Sequence, residues 1–440
     1  MADGMRLRGL THVEGDSDLP ERTSVAIIGG GIVGAMAALV LAEQGVPVCL
    51  FEKGRIAGEQ SGRNWGWVRK MGRQAADIRL AIMADGIWPT LDARTGHAMG
   101  YRVNGSIYPC DTQAEVEHHR KWRDEIGRPA GVDSRILTSD ETMALLPGCV
   151  RPFAGALYTA SDGCAEPFHA APGIALGART QGAKIFTGCA VRGVERSGGR
   201  ISAVVTERGT VACDAVILAT GAWSSLFLRH LGLRLPQLRL RASVAQVEGV
   251  GDAPDICCSA RDVTFRKRLD GTWTYARRSL NTTDISPDHI RYFFDFLPML
   301  RQNRDIIRLR WSLAGFRAAW RDDRRWKDTD QTVFERIRVL DPPGDPQILS
   351  MGRQGLLDAF PAFRDMTAVQ DWSGFIEGTP DGMPVLGPAA KIPGLVIATG
   401  FSGHGFGIGP AVGQIAAELA TGATPSEDIH PFRPGRFRKA

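Results

Sequence analysis

The chain has 440 residues, 43% of them hydrophobic and 23% charged, with a formal net charge of +5. That length suits two domains, or one large domain with insertions, and the composition excludes wholesale disorder. The basic residues are mixed with acids, which argues against nucleic acid, no module of which is legible here, and is compatible with a small anionic substrate or an anionic surface.

In chain order, residues 1–22 read as a mobile polar tail without the apolar core of a secretory signal. A strand follows over 24–28, then a glycine-rich turn, a helix over 32–44 stopped by Gly45, and a strand over 46–51 that ends at Glu52. Helices are expected near 77–94, 112–126 and 167–181. Strands are expected over 184–186, 190–194, 201–207, 210–213 and 215–221. Residues 240–350 are rich in arginine and tryptophan and alternate over 272–276, which predicts an antiparallel sheet with inserted helices. Beyond 351 the chain is apolar and glycine-rich, with a strand over 394–400 and a helix over 408–419 before a second tail, 426–440. The fold class is therefore α/β, a parallel nucleotide-binding sheet interleaved with a domain built on an antiparallel sheet. The nucleotide-binding unit is assigned 23–105, 160–240 and 351–425, and the substrate unit 106–159 and 241–350.

Eight cysteines occur without any C-x-x-C spacing, and the histidines do not cluster with them. They read as buried thiols of a cytoplasmic protein, with no zinc or other metal site. No stretch reaches the length of a membrane span.

Gly29, Gly31 and Gly34 form G-x-G-x-x-G between a strand and a helix. Gly29 allows the tight turn, Gly31 lets backbone N–H groups approach a pyrophosphate, and Gly34 lets helix and strand pack closely. Ile32 and Val33 then open a helix whose positive end faces the phosphates. Glu52 can accept hydrogen bonds from ribose hydroxyls, with Lys53 beside it. The loop indicates a dinucleotide without separating NAD from FAD.

Three further segments decide between them. These are Ser61-Gly-Arg-Asn-Trp-Gly-Trp67, Ala219-Thr-Gly-Ala-Trp223, and Thr379-Pro-Asp-Gly followed by Ala398-Thr-Gly-Phe-Ser-Gly-His-Gly-Phe406. With the glycine loop they resemble the D-amino-acid oxidase superfamily of flavoenzymes, over nearly the whole span from Ser24 to Leu419. The resemblance implies non-covalent FAD. It implies that Ser61, Arg63 and Asn64, with Trp65, Gly66 and Trp67, run along the pyrophosphate and flavin. Val191 would meet the adenine, and Ala219, Thr220, Gly221 and Trp223 the adenosine half. Gly403, His404, Gly405, Phe406 and Gly407 would border the isoalloxazine. His404 is expected to act through its backbone more than as a base.

The resemblance also implies oxidation of a C–N bond of an amino acid or amine to an imine, in the manner of a D-amino-acid dehydrogenase. Alternatives are a 2-hydroxyacid dehydrogenase and a non-catalytic FAD-binding subunit. The arginine that clamps the substrate carboxylate in several members is replaced by Ile376, and the lysine that sarcosine oxidases place after Gly-His-Gly-Phe is replaced by Gly407. Candidates for holding a carboxylate are then Arg69 and Arg277, with Tyr275 on the same strand. Trp65, Trp67, Trp273 and Trp311 would suit an aromatic wall. No lysine falls on the 272–277 strand, which favours a quinone or other electron carrier over O2 as acceptor. Residues 291–301 read as a buried helix with a solvated basic face. The alternative is an apolar patch that, with Arg304, Arg308, Arg310 and Arg317, touches a membrane surface.

Overall fold

Side-chain alternation along β1 (Val25–Ile28) sets the layers of the molecule. Val25 and Ile27 belong to one buried cluster, Ala26 and Ile28 to another on the opposite face of the sheet. The computed structural model describes residues 7–278, 280–302, 307–322 and 325–437. After β1 come α1 (Ile32–Glu43), β2 (Val48–Phe51), β3 (Lys184–Phe186), β4 (Ala215–Leu218), β5 (Val385–Pro388), β6 (Leu395–Thr399) and α2 (Gly405–Thr421). The strands form one six-stranded sheet in the order β5-β6-β4-β1-β2-β3, parallel except where β5 pairs with β6.

Helix α1 is buried from Ile32 to Ala42 because it is apolar on every side, wedged between α2 and the helix Ala170–Thr180. A three-stranded meander of Val191–Ser197, Arg200–Thr206 and Gly209–Ala212 covers the other face of the sheet.

The second layer is a mixed, mainly antiparallel sheet of ten strands among the described residues. Its central strand, Leu238–Glu248, pairs along its whole length with Thr367–Gly378 and on its other side with Trp273–Ala276. The chain therefore crosses between sheets later than the sequence reading has it. Residues 367–378 complete the antiparallel sheet, and only after the turn at Thr379 does the chain return to the parallel one as β5.

Both expected tails are packed wherever they are described; residues 1–6 and 438–440 lie outside the described residues. Leu7, Val13 and Phe432 are buried, Asp16 exchanges two hydrogen bonds with Ile185, and Arg436 pairs with Asp381 at 2.7 Å. The anchoring apolar residues are single and far apart, so the polar stretches between them dominate the composition. Helix α2 begins at Gly405, earlier than the expected 408, because glycines 405, 407 and 409 are accommodated in it by close packing on Phe401, Trp67 and Ile32.

One buried ionic cluster joins the second sheet to the loop after α1–β2. Glu166 lies 2.9 Å from Arg266 and 3.2 Å from Arg268, all three side chains at most 3% exposed. Arg266 also donates through Nε to the Trp65 carbonyl. Two guanidinium groups share one carboxylate here, so Glu166→Gln leaves buried positive charge without compensation. It should lower stability by about 3–5 kcal/mol, read as a fall in the unfolding midpoint in urea, whereas a change within about 0.5 kcal/mol would mean that the cluster is solvated.

Candidate active site

A cavity runs from the carboxyl ends of β1 and β2 to the N-terminus of α2. Its nucleotide end is built as the glycine spacing dictates. A Cβ on Gly34 would stand 2.0 Å from the Gly29 carbonyl oxygen, and one on Gly29 would stand 2.3 Å from the Ala219 carbonyl. Gly29 itself has φ of +111°, open only to glycine. Gly34 thus lies behind the cavity and sets the helix, while Gly29, Gly31, Ile32 and Val33 line it. Gly31 is the N-cap and supplies no side-chain cap, so the amides of the first turn face the cavity with only the Ile32 N–H taken, by Ser61 Oγ at 2.9 Å.

Glu52 closes this end. Its carboxyl oxygens accept the N–H groups of Gly30 at 2.8 Å and Gly54 at 2.7 Å, while desolvation in the cavity wall raises its pKa. Lys53 is tied at 2.6 Å to Glu59, which also accepts from Trp223 Nε1 at 2.9 Å. Trp223 lies between Lys53 and Arg239, whose charges are 4.6 and 4.5 Å from its ring centroid. Val191, Ala219, Thr220 and Gly221 complete the wall, and Gln60 accepts the Ala222 N–H at 2.8 Å. Glu59 and Gln60 carry no motif of their own, so sequence reasoning passed over them.

The Ser61–Trp67 segment follows the cavity towards α2. Arg63 lines it, but its donors are taken by Gly58 O, Ser373 O and Asp341, so it fixes the loop to the second sheet and its charge is already met. Asn64 Oδ1 accepts the Gly66 N–H at 2.7 Å, and Gly66, at φ +80°, packs behind the wall against Ala165 O. Trp65 and Trp67 both face the cavity and pack edge to face with centroids 6.1 Å apart. The other two tryptophans do not join them: Trp273 is core beside Phe265 and Phe363, and Trp311 is exposed.

At the far end Gly403, His404, Gly405, Phe406 and Gly407 line the cavity, and α2 starts there with no side-chain cap. The N-termini of α1 and α2, which pack together where Gly409 meets Ile32, therefore both open into the cavity. The turn feeding α2 is strained, with Ser402 at φ +49°. Thr379 holds it by donating its N–H to Ser402 Oγ at 3.2 Å, and Asp381 of the same motif accepts the Met383 N–H. His404 Nδ1 is 3.8 Å from Asp77, yet burial and the nearby Arg73 and Arg69 push its pKa down to about 3. Such an imidazole is neutral at pH 7 and too weak to take a proton from an ammonium group.

Arg69 is on the cavity wall, but Tyr275 and Arg277 are not. Tyr275 is 6% exposed and packs on Gly352 with its hydroxyl towards Leu349 O; the backbone of Arg277 packs on Gly352 too. Strand parity explains the error: Ala276 joins Val244 and Trp372 on the opposite face, and Arg278, one alternation further, reaches the cavity. The Arg278 and Arg69 guanidinium carbons lie 4.4 and 5.7 Å from the centroid of the buried Tyr108 ring. Phe375, Ile376 and Glu377 form the wall beneath Gly403.

A carboxylate for ribose, two uncapped helix ends for anionic groups and an apolar aromatic wall between them fit FAD lying along the cavity. The comparisons agree. The model of the FAD-dependent oxidoreductase family matches residues 24–419. A solved L-amino acid deaminase of Proteus myxofaciens, in complex with anthranilate, is 31% identical, with a TM-score of 0.93 over 98% of this chain and 97% of that one. Glycine oxidase of Pseudomonas aeruginosa is 26% identical over 93% of this chain and 98% of its own length. Sarcosine dehydrogenase of Mus musculus is 23% identical over 95% of this chain, which spans only 42% of that longer protein.

Glu377 generates a pH prediction. Burial pushes its carboxyl from 4.5 up to about 7, against the N–H of Phe401 at 3.3 Å. The folded state holds the proton more tightly than the unfolded state, so this contribution is complete below pH 4.5 and is lost as pH rises through 7. Between pH 4.5 and 8 the wild type should therefore lose about 3 kcal/mol relative to Glu377→Gln. Parallel stability–pH curves for the two proteins would refute it.

Proposed function

The chain belongs to the family of FAD-dependent oxidoreductases, and on that premise we propose that it oxidises the Cα–N bond of an α-amino acid to an imine, which water hydrolyses to a 2-oxo acid. Bound FAD would supply the hydride acceptor. The chain's own residues bind and orient the substrate and keep water from the reacting carbon.

The observation that carries this reading is Arg278. It replaces the missing arginine at Ile376 from a different strand, reaching the cavity with no ion-pair partner among the described residues and Tyr108 as a planar support. A carboxylate on Arg278 leaves the substrate side chain against Trp65, Trp67, Phe375 and Ile376, which favours a large apolar group. The neutral His404 is consistent with a substrate that enters as the free amine and needs no enzymic base. An L configuration is favoured by the likeness to the Proteus deaminase over both full chains.

The electron acceptor is proposed to be a membrane quinone. Lys53 is the lysine on the cavity wall among the described residues, and it is engaged at the nucleotide end. Around the helix Phe293–Gln302 and the helix Leu313–Asp322, the residues Phe294, Trp311, Leu313 and Trp320 are exposed beside Arg308, Arg317 and Arg321. The first of these helices is thus only half as the sequence reading has it: Phe296 is buried, and Phe294 is 75% exposed. Arg304 lies outside the described residues, and no described helix is long and apolar enough to cross a membrane. Such a patch suits shallow docking on anionic lipid.

The test of the reaction is anaerobic mixing with D- and L-amino acids, amines and 2-hydroxyacids. L-Amino acids with large apolar side chains should bleach the flavin bands, and Arg278→Gln should raise their KM by about a hundredfold, the loss of a charge-assisted fork. Bleaching by hydroxyacids alone, or by nothing, would move the assignment to a C–O dehydrogenase or a non-catalytic flavin subunit. For the acceptor, the protein should co-sediment with anionic vesicles, and Trp311→Asp with Trp320→Asp should reduce that binding by at least about tenfold. Equal sedimentation of variant and wild type would remove the membrane from the proposal.

A further inference from the structure

Arg73 is absent from every motif, yet it lines the reacting end of the cavity and is only 2% exposed. Its Nε donates to the Arg69 carbonyl at 3.3 Å, and its Nη1 has no hydrogen-bond partner. The buried Asp77 lies 3.8 Å from His404 and near enough to Arg73 for each charge to favour the other's ionised form, but no hydrogen bond or ion pair joins it to the guanidinium among the described residues. A guanidinium is always charged, and burying one with an idle donor costs several kcal/mol unless an anion meets it. The other three fully buried arginines among the described residues are ion-paired: Arg266 and Arg268 share Glu166, and Arg63 has Asp341.

Its placement has a cause. Arg73 Nη2 lies 3.6 Å from where a Cβ of Gly407 would stand, so the guanidinium packs at contact distance against the bare turn at Gly407. It sits at the first turn of α2, where the N–H groups and the helix dipole already favour negative charge. The Gly407 carbonyl is held from the far side by Trp88 Nε1 at 2.8 Å, which keeps this turn in place.

We propose that Arg73 and the α2 N-terminus form one anion-holding site, and that Arg73 is a further binding residue of the reaction. The anion is an oxygen of the substrate carboxylate or of the pyrimidine edge of FAD. The inference rests on the reading of the cavity as a flavin and amino-acid site. It differs from Arg278 in depth: Arg278 is exposed before substrate arrives, whereas Arg73 is already out of water.

The experiment uses holoenzyme of wild type, Arg73→Gln and Arg73→Lys, matched for FAD content by visible spectrum. Two quantities are measured without turnover: the flavin midpoint potential of the ligand-free protein, and the Kd of benzoate as a carboxylate probe. If the site serves the flavin edge, Arg73→Gln shifts the potential to a more negative value and leaves benzoate binding unchanged. If it serves the substrate, the potential stays and the benzoate Kd rises about tenfold or more, one charge-assisted hydrogen bond. Arg73→Lys should recover part of whichever effect appears. Should Arg73→Gln fail to retain FAD, Arg73→Lys carries both measurements in its place. Unchanged potential and unchanged benzoate Kd, in Arg73→Gln or in that replacement, overturn the proposal. Failure of wild-type flavin to bleach with any amino acid would instead count against the reaction assigned above.

Discussion

The rest of this molecule depends on one close approach, that of the Gly34 Cα to the Gly29 carbonyl. There is no space for a Cβ, and that absence lets α1 lie directly on β1 with its N-terminus at the sheet edge. From that contact follow the position of Glu52, the course of the Ser61–Trp67 loop and the surface on which α2 packs. The layers also need α1 to be apolar all round, because it is covered by helices on its flanks and by the sheet below.

The cavity has an electrostatic axis. Carboxyl groups, Glu52 and Glu59, gather where hydroxyl and amine donors would be received. Arginines 69, 73 and 278 gather where a carboxylate would be received. Between them the walls are aromatic and aliphatic. Arg73 is buried among these groups, so its charge counts for more than it would at the surface. Glu377 is the exception at the cationic end, and its raised pKa keeps it largely protonated below pH 7, so that it does not cancel the arginines.

The sequence was most legible where a backbone constraint leaves a residue type behind. Glycines at 29, 31 and 34 and the acid at 52 announced the nucleotide end, and the apolar run of β6 with the glycines after it announced the start of α2. Side-chain work was harder to see. Tyr275 and Arg277 were chosen on the right strand and the wrong face, an error of one residue that period two turns into a complete miss. Arg73 and Glu377 have no local pattern, because what singles them out is burial contributed by segments hundreds of residues away. The packed termini escaped notice for the same reason, since Leu7 and Phe432 are single anchors in polar stretches.

The ladder between Leu238–Glu248 and Thr367–Gly378 has a kinetic corollary. It runs from Leu238 opposite Gly378 to Glu248 opposite Thr367 with one register shift between Gln246 and Val247, and Ile376 and Glu377 near its end are themselves cavity wall. Moving that wall away from the antiparallel sheet would have to unzip the ladder, at the cost of several buried backbone hydrogen bonds at once. Passage of small molecules is thereby assigned to local rearrangement, such as rotation of the exposed Arg278 over Tyr108. Entry would then be governed by the attraction between an exposed, unpaired cation at the mouth and an anionic ligand, a quantity that ionic strength tunes.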